Sequence, residues 1–380
     1  MADKQEKIKG TEPLSTGKEK SGKQVTGKVK RQSEPEINWS FSDKDIYIVP
    51  AKKRRPPWMI PVLIGVLIIA FVIWLGPRLL NRGTSDEANH EGLTAESREA
   101  DRVVKTSSAA IYAEPDIRSR RLYTALINEP LADLNDKPEN GFIRVRLADG
   151  NTGYIEADKT TESMDSLDLQ NASYRVIVLN GEKRVMSHTS RGTLLMTAPM
   201  GAELFADYAG TSTVRVILPG GTRGWMNRED IAVLGLREKL QPPANEPEKY
   251  FCSAAMSFIN AQYVPGGMTK QMADLPGIIR VAAKVNGRDI PRDIEQQMSI
   301  GTGITFEYRN GLPVPDDLRP GDLLYFSANP DSDDIVSAGV MVSDGSLLYA
   351  RPNSSSIGLY SLERNPDIMK NLKVVRRPFD

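Results

Sequence analysis

The stretch YVPGGMTKQMADLPGIIRVAAKVNGRDIPRDIEQQ, residues 263–297, decides the reading of this chain. It holds the pair Gly266-Gly267, then Asp274 ahead of an apolar run expected to be helical over 276–286. It ends on Pro291-Arg292-Asp293, where Asp is a favoured helix N-cap before Ile294-Glu295-Gln296-Gln297. Working outward, a further helix is expected at 248–261 and a third at 293–299. Strands are expected at 322–327, 336–342, 346–351, 356–361 and 372–377. Helices first and an antiparallel sheet after is the α+β pattern.

Composition sets the limits. At 380 residues the chain calls for several domains. Its 49 Lys and Arg balance its 49 Asp and Glu, so nothing points to nucleic acid. One Cys excludes an intramolecular disulfide framework and a Cys-rich metal site. No cofactor and no metal is expected.

Residues 1–36 are rich in Lys, Gly, Ser, Thr, Gln and Glu and cannot bury enough apolar surface to fold. Residues 37–50 concentrate Trp39, Phe41, Ile46, Tyr47 and Ile48. They read either as a segment near a membrane surface or as a docking motif for a cytoplasmic partner. Lys52-Lys53-Arg54-Arg55 follows, and then an apolar run from Trp58 to Leu75. At ~1.5 Å per residue that run covers roughly 27 Å, close to the ~30 Å hydrocarbon core of a bilayer. The basic cluster places its N-terminal side in the cytoplasm. The expected organisation is a cytoplasmic tail (1–57), a single-pass transmembrane helix (58–76) and a polar linker (77–101), with the C-terminal mass outside. His90 in the linker and His188 further on read as solvated or satisfied histidines.

An internal repeat follows. Residues 144–155, RVRLADGNTGYI, line up with residues 215–226, RVILPGGTRGWM. Each is strand, Gly-containing turn, strand, and the aromatic after Gly (Tyr154, Trp225) is expected to plug a small barrel. Together with Ala110-Ile111-Tyr112-Ala113-Glu114-Pro115 and Leu126-Ile127-Asn128-Glu129-Pro130-Leu131, the repeat resembles bacterial SH3 (SH3b) domains. The resemblance implies two small all-β barrels, 102–165 and 172–237. Arg184-Val185-Met186-Ser187-His188 stands for the first strand of the second copy. A polar linker spans 160–172, and Gln241-Pro242-Pro243-Ala244-Asn245-Glu246-Pro247 separates off the last domain, 245–380.

That last domain resembles the NlpC/P60 cysteine peptidases, which cut peptide stems of bacterial cell wall. Their pattern reads roughly Y-x-W-G-G, D-C-S-G at a helix start, and L-P-R-D. Tyr263, Gly266, Gly267, Asp274, Gly277, Pro291, Arg292 and Asp293 match it. Pro265 and Ile294 depart from it. So does Leu275, which stands where the family carries its nucleophilic Cys. The family's base and its orienting His fall on Ser337 and Tyr349, after the turn Pro320-Gly321-Asp322. Only His titrates unaided near pH 7, and three coupled catalytic groups act as a unit. The resemblance therefore implies a papain-like α+β domain without the family's chemistry. It also implies that Asp293, Tyr263 and Glu129 hold the ligand; Asp293 reads equally as the helix cap. Cys252, in Tyr250-Phe251-Cys252-Ser253, reads as a small core residue.

The function expected is a membrane-anchored extracytoplasmic pseudopeptidase binding cell-wall peptide stems or an envelope protein. Two alternatives stand beside it. One is a γ-D-glutamyl–diamino acid hydrolase recruiting Ser337, Asp274 or Cys252; the other is a structural scaffold of an envelope complex.

Overall fold

The computed structural model describes residues 100–379, apart from 135, 136, 148, 311 and 316. The tail, the expected span 58–76 and residues 77–99 lie outside them. Among the described residues no helix is long and apolar enough to cross a membrane.

The chain opens with seven short strands: β1 (Arg102–Val104), β2 (Ser108–Tyr112), β3 (Arg121–Leu126), β4 (Pro130–Asp133), β5 (Phe142–Arg146), β6 (Thr152–Glu156) and β7 (Thr160–Thr161). They form one sheet in the order β3-β2-β6-β5-β4-β1-β7. Seven more follow: β8 (Tyr174–Val178), β9 (Glu182–Met186), β10 (Leu194–Pro199), β11 (Glu203–Ala209), β12 (Thr213–Ile217), β13 (Arg223–Asn227) and β14 (Ile231–Gly235). Their order is β10-β9-β13-β12-β11-β8-β14, strand for strand that of the first sheet. The repeat seen in the sequence keeps its register as well: Arg144 pairs with Tyr154 as Arg215 pairs with Trp225.

The glycine before each aromatic is what the packing requires. A Cβ on Gly153 would stand 2.5 Å from Ile111 Cγ2 and 2.9 Å from the Tyr112 carbonyl, and one on Gly224 would stand 2.3 Å from Val185 Cγ1 and 3.2 Å from Leu195 Cδ1. The aromatics themselves are not core plugs. Side chains alternate along a strand, so Gly153 and Ile155 point inward and Tyr154 is only half-buried; Gly224, Trp225 and Met226 repeat the pattern. Trp225 lies on the outer face, edge-on to Tyr208 with ring centroids 5.7 Å apart and beneath the Arg215 guanidinium at 5.5 Å. Residues 160–172 differ from an open polar linker. Leu167 is buried with Val103 and Phe205, so the connection carries a small core joining the two sheets.

The last domain begins with α1 (Pro247–Met256), followed by β15 (Gln262–Tyr263), β16 (Met272–Ala273), α2 (Leu275–Lys284) and α3 (Ile294–Gln297). It continues with β17 (Thr302–Gly303), β18 (Phe306–Arg309), β19 (Leu312–Pro315), β20 (Leu323–Ser327), β21 (Ile335–Ser343), β22 (Ser346–Tyr349), β23 (Gly358–Ser361) and β24 (Leu372–Arg377). Six strands form an antiparallel sheet, β17-β24-β20-β21-β22-β23. Every residue of β20 is buried, as its continuous apolar run requires. The helices are shorter than expected. α1 stops at Met256 because the Ser257 hydroxyl bonds the Ala254 carbonyl at 2.6 Å and Asn260 turns left-handed at φ 65°. α2 stops at Lys284 ahead of Gly287, φ 71°, the conformation that ends many helices.

The first sheet and the last domain share one hydrophobic core, which includes Ile111, Tyr123, Ile143, Phe251, Ile278, Val281 and Tyr325. A second core gathers around Val176, Leu204 and Val214 of the second sheet and takes in Leu126 and Ile127 of the first. Gly153→Ala is expected to destabilise the chain by about 1–3 kcal/mol through overpacking. Urea unfolding checks this, and an unchanged midpoint would contradict the packing described.

Candidate functional site

Asp274 ties together the three segments that make the site. Its side chain accepts from the Gly277 amide at 2.9 Å, capping α2, and from the Gly266 amide at 2.7 Å, fixing the glycine turn. It also accepts from the Arg292 guanidinium at 2.5 Å, which draws in the segment before α3. Both side chains are about nine-tenths buried, at 10% exposure each. The glycines allow the closeness: Gly277 packs on the Gly267 carbonyl, and a Cβ on Gly266 would meet Arg121 and Leu122 of β3 at 2.8–3.1 Å. The Thr124 hydroxyl on β3 donates to the Gly266 carbonyl at 2.8 Å and brings the first sheet against the turn.

Between these parts lies a cavity of about 530 Å³. The last domain lines it with Tyr263, Leu275, Pro276, Arg292, Asp293 and Ser337; the first sheet and its loops add Arg120, Arg121, Tyr123, Asp149 and Asn151. Leu275 is the first residue of α2 and is 1% exposed. Ser337 on β21 is half-buried, with its hydroxyl 3.3 Å from that of Tyr349 on β22. Burial pushes the Tyr349 hydroxyl above its ordinary range, and its ring packs on Phe326 at 4.9 Å. No Cys or His is among the residues lining the cavity. Asp293 caps α3, its Oδ1 accepting from the Glu295 and Gln296 amides at 3.0 Å, and it borders the cavity as well. Burial, and then the charge of Asp274, raise the Tyr263 hydroxyl. Arginines and carboxylates thus face one space, a set that suits a ligand carrying both an amine and carboxylates.

No family model matches the chain. Its curated relatives include the gamma-D-glutamyl-L-lysine dipeptidyl-peptidase of Bacillus subtilis (strain 168), 30% identical over 122 residues, covering 32% of this chain and 38% of that protein. The protein of the same name from Bacillus cereus (strain ATCC 10987 / NRS 248) is 22% identical over 152 residues, covering 40% and 42%. The chain spans about two fifths of the length of these relatives. Among solved structures, that of an NlpC/P60 family protein from Bacillus cereus ATCC 10987 aligns with TM-score 0.61 at 15% identity, covering 73% of this chain and 99% of the other. The fold is that of an NlpC/P60 protein.

Within the NlpC/P60 fold, the expected site residues Leu275, Ser337, Tyr263 and Asp293 come together at one cavity, with Tyr349 directly behind Ser337. Glu129 does not reach it. Its carboxylate accepts from the Tyr123 hydroxyl at 2.7 Å and the Leu126 amide at 2.9 Å, and burial raises it above the ordinary carboxylate range. Tyr123 takes the place at the cavity wall. Cys252 lies on α1, away from the cavity; its thiol donates to the Met341 carbonyl at 3.3 Å, and burial pushes it up to about 12. The polar contribution of the first sheet, Arg120 and Arg121 at the start of β3 and Asp149 and Asn151 in the turn between β5 and β6, was not among the expected site residues. It depends on a contact between segments about 140 residues apart, and only the spacing of the two glycines hints at a close approach there.

Asp274→Asn leaves the Arg292 charge buried without its partner, and the expected cost is about 3–5 kcal/mol in urea unfolding. Replacing both residues by Leu is expected to recover part of that loss. Cys252 is expected to resist iodoacetamide at pH 8 in the native chain and to react in urea. The thiol loses its proton near its ordinary pKa of 9.0 when unfolded, and only near about 12 when folded. Its contribution to stability therefore falls as pH rises through that interval, and Cys252→Ala is expected to flatten the decline.

Proposed function

We propose that this chain is a membrane-anchored, extracytoplasmic pseudopeptidase that holds peptide stems of the cell wall without cutting them. The observation that carries the reading is the cavity itself. It is open and bordered by side chains of both charges, and Leu275 sits at the head of α2, where the resemblance calls for the nucleophilic Cys. The name of the curated relatives, gamma-D-glutamyl-L-lysine dipeptidyl-peptidase, supplies the ligand class. In this reading the two seven-stranded sheets are the SH3b domains, the first of them forming one cavity wall, and residues 58–76 are the anchor.

The hydrolase alternative has less to work with. Cys252 lies elsewhere, Asp274 is engaged by three donors, and Ser337 faces a raised Tyr349 hydroxyl rather than a base. The scaffold alternative is weakened by the charged residues left around the open cavity.

Calorimetry of the full chain with the tripeptide L-Ala-γ-D-Glu-diamino acid tests the reading. Saturable heat is expected, with the tripeptide recovered intact by chromatography and with Asp293→Ala removing the heat. Release of free L-Ala-D-Glu would overturn it in favour of the hydrolase. Absence of heat would overturn the peptide ligand and favour a protein partner.

A further inference from the structure

The charges that border the cavity are not all spent on one another. Arg292 is engaged by Asp274, and Asp293 gives Oδ1 to the cap of α3. Arg120 and Arg121, at the start of β3, differ. Among the described residues neither side chain forms an ion pair. Arg120 is exposed at the cavity; Arg121 is half-buried, and its Nη1 meets the Met272 sulfur at 3.1 Å, a weak acceptor. Asp149, on the same wall, accepts from the Asn151 amide at 3.0 Å and not from either arginine. Arg121 is nevertheless held in place. A Cβ on Gly266 would stand 2.8 Å from its Cγ, so the glycine turn packs on its stem, and Asp274 ties that turn to the head of α2, where Leu275 lies.

A guanidinium carries donors and no acceptor, and its planar fork matches the two oxygens of a carboxylate. Two such groups on one wall, with no acid of the chain upon them, attract an anion. On a cell-wall stem the anions are carboxylates, and one is fixed by the linkage itself. A γ-linked glutamate is joined through its side chain, so its α-carboxylate stays free next to that bond in a stem of any length. We propose that Arg120 and Arg121 hold this α-carboxylate and make the cavity selective for stems whose γ-linked glutamate is the free acid. Stems that carry the α-carboxamide instead are disfavoured. The inference rests on the reading of the cavity as a stem-peptide site. A carboxamide keeps one acceptor and turns N–H donors toward a wall of donors, so it loses a charged contact and adds a repulsive one. Specificity built on such a mismatch is sharper than that of a missing apolar contact. The stem of Arg121, already packed on the Gly266 turn, has little freedom left to lose when the anion arrives.

Calorimetry of the full chain in a mild detergent compares three peptides. The first is L-Ala-γ-D-Glu-L-Lys. The second has its glutamate α-carboxylate replaced by the carboxamide, and the third has its C-terminal carboxylate replaced in the same way. The first and third are expected to bind alike, and the second at least about tenfold more weakly, as the loss of a charged hydrogen bond implies. Arg120→Gln and Arg121→Gln are each expected to bring the first peptide down towards the level of the second. Gln keeps the methylenes that pack on the Gly266 turn, and Arg120 is exposed, so its replacement leaves the core untouched. Equal binding of the first and second peptides would overturn the carboxylate contact and leave the stem-peptide reading standing. So would variants that weaken both peptides by the same factor. Weak binding of the third peptide alone would give the arginines to the C-terminal carboxylate and overturn the proposal as well. Binding of none of the three would overturn both the proposal and the reading beneath it.

Discussion

The buried pair of Asp274 and Arg292 is the constraint from which the rest of the site follows. A carboxylate out of water must be met by donors on its lone pairs, and here three come from three separate segments. Meeting that demand fixes the start of α2, the glycine turn and the approach of α3 at once. A helix cap alone would have fixed one of them. Gln297 adds a second tie nearby: fully buried, it donates to the carbonyls of Pro276 and Pro291. The cavity floor is therefore rigid for reasons independent of what occupies it.

The wall facing that floor belongs to the first sheet. Gly266 permits this, since a Cβ there would meet Arg121 and Leu122, while Gly267 and Gly277 let the turn pack closely on Ala273 and on α2 within the last domain. Once β3 is seated on the turn, Arg121 and the preceding Arg120 border the same space as Asp293 and Ser337. The electrostatic character of the cavity thus depends on a docking contact made by apolar and backbone groups.

Much of this was legible in the chain. The repeat at 144–155 and 215–226 carried its register into the structure, because a hairpin's pairing is set locally by its turn and its alternation. The strands at 322–327 and 336–342 were legible from their largely apolar runs, and the expected strand at 372–377 is present although it mixes apolar and basic residues. Residue type alone did not show which face of a strand is buried or what a polar side chain bonds. Tyr154 and Trp225 look like core residues by type, but strand alternation sends the neighbouring Ile155 and Met226 inward instead. Glu129 looks like a ligand by position, yet it spends its carboxylate on Tyr123 and Leu126. Nothing in residues 160–172 announces that Leu167 joins two sheets. That role exists only once Val103 and Phe205 arrive beside it.

The shared core has a consequence for how the chain comes into being. The first sheet leaves the ribosome early, while Phe251, Ile278 and Tyr325, which complete its hydrophobic environment, lie beyond the whole of the second sheet in sequence. The second sheet builds its core with Leu126 and Ile127 of the first, both of which are made before it. Residues 102–156 reach their full burial only when partners translated much later are in place. In vectorial terms the second sheet is an insertion within a folding unit whose two halves are synthesised apart.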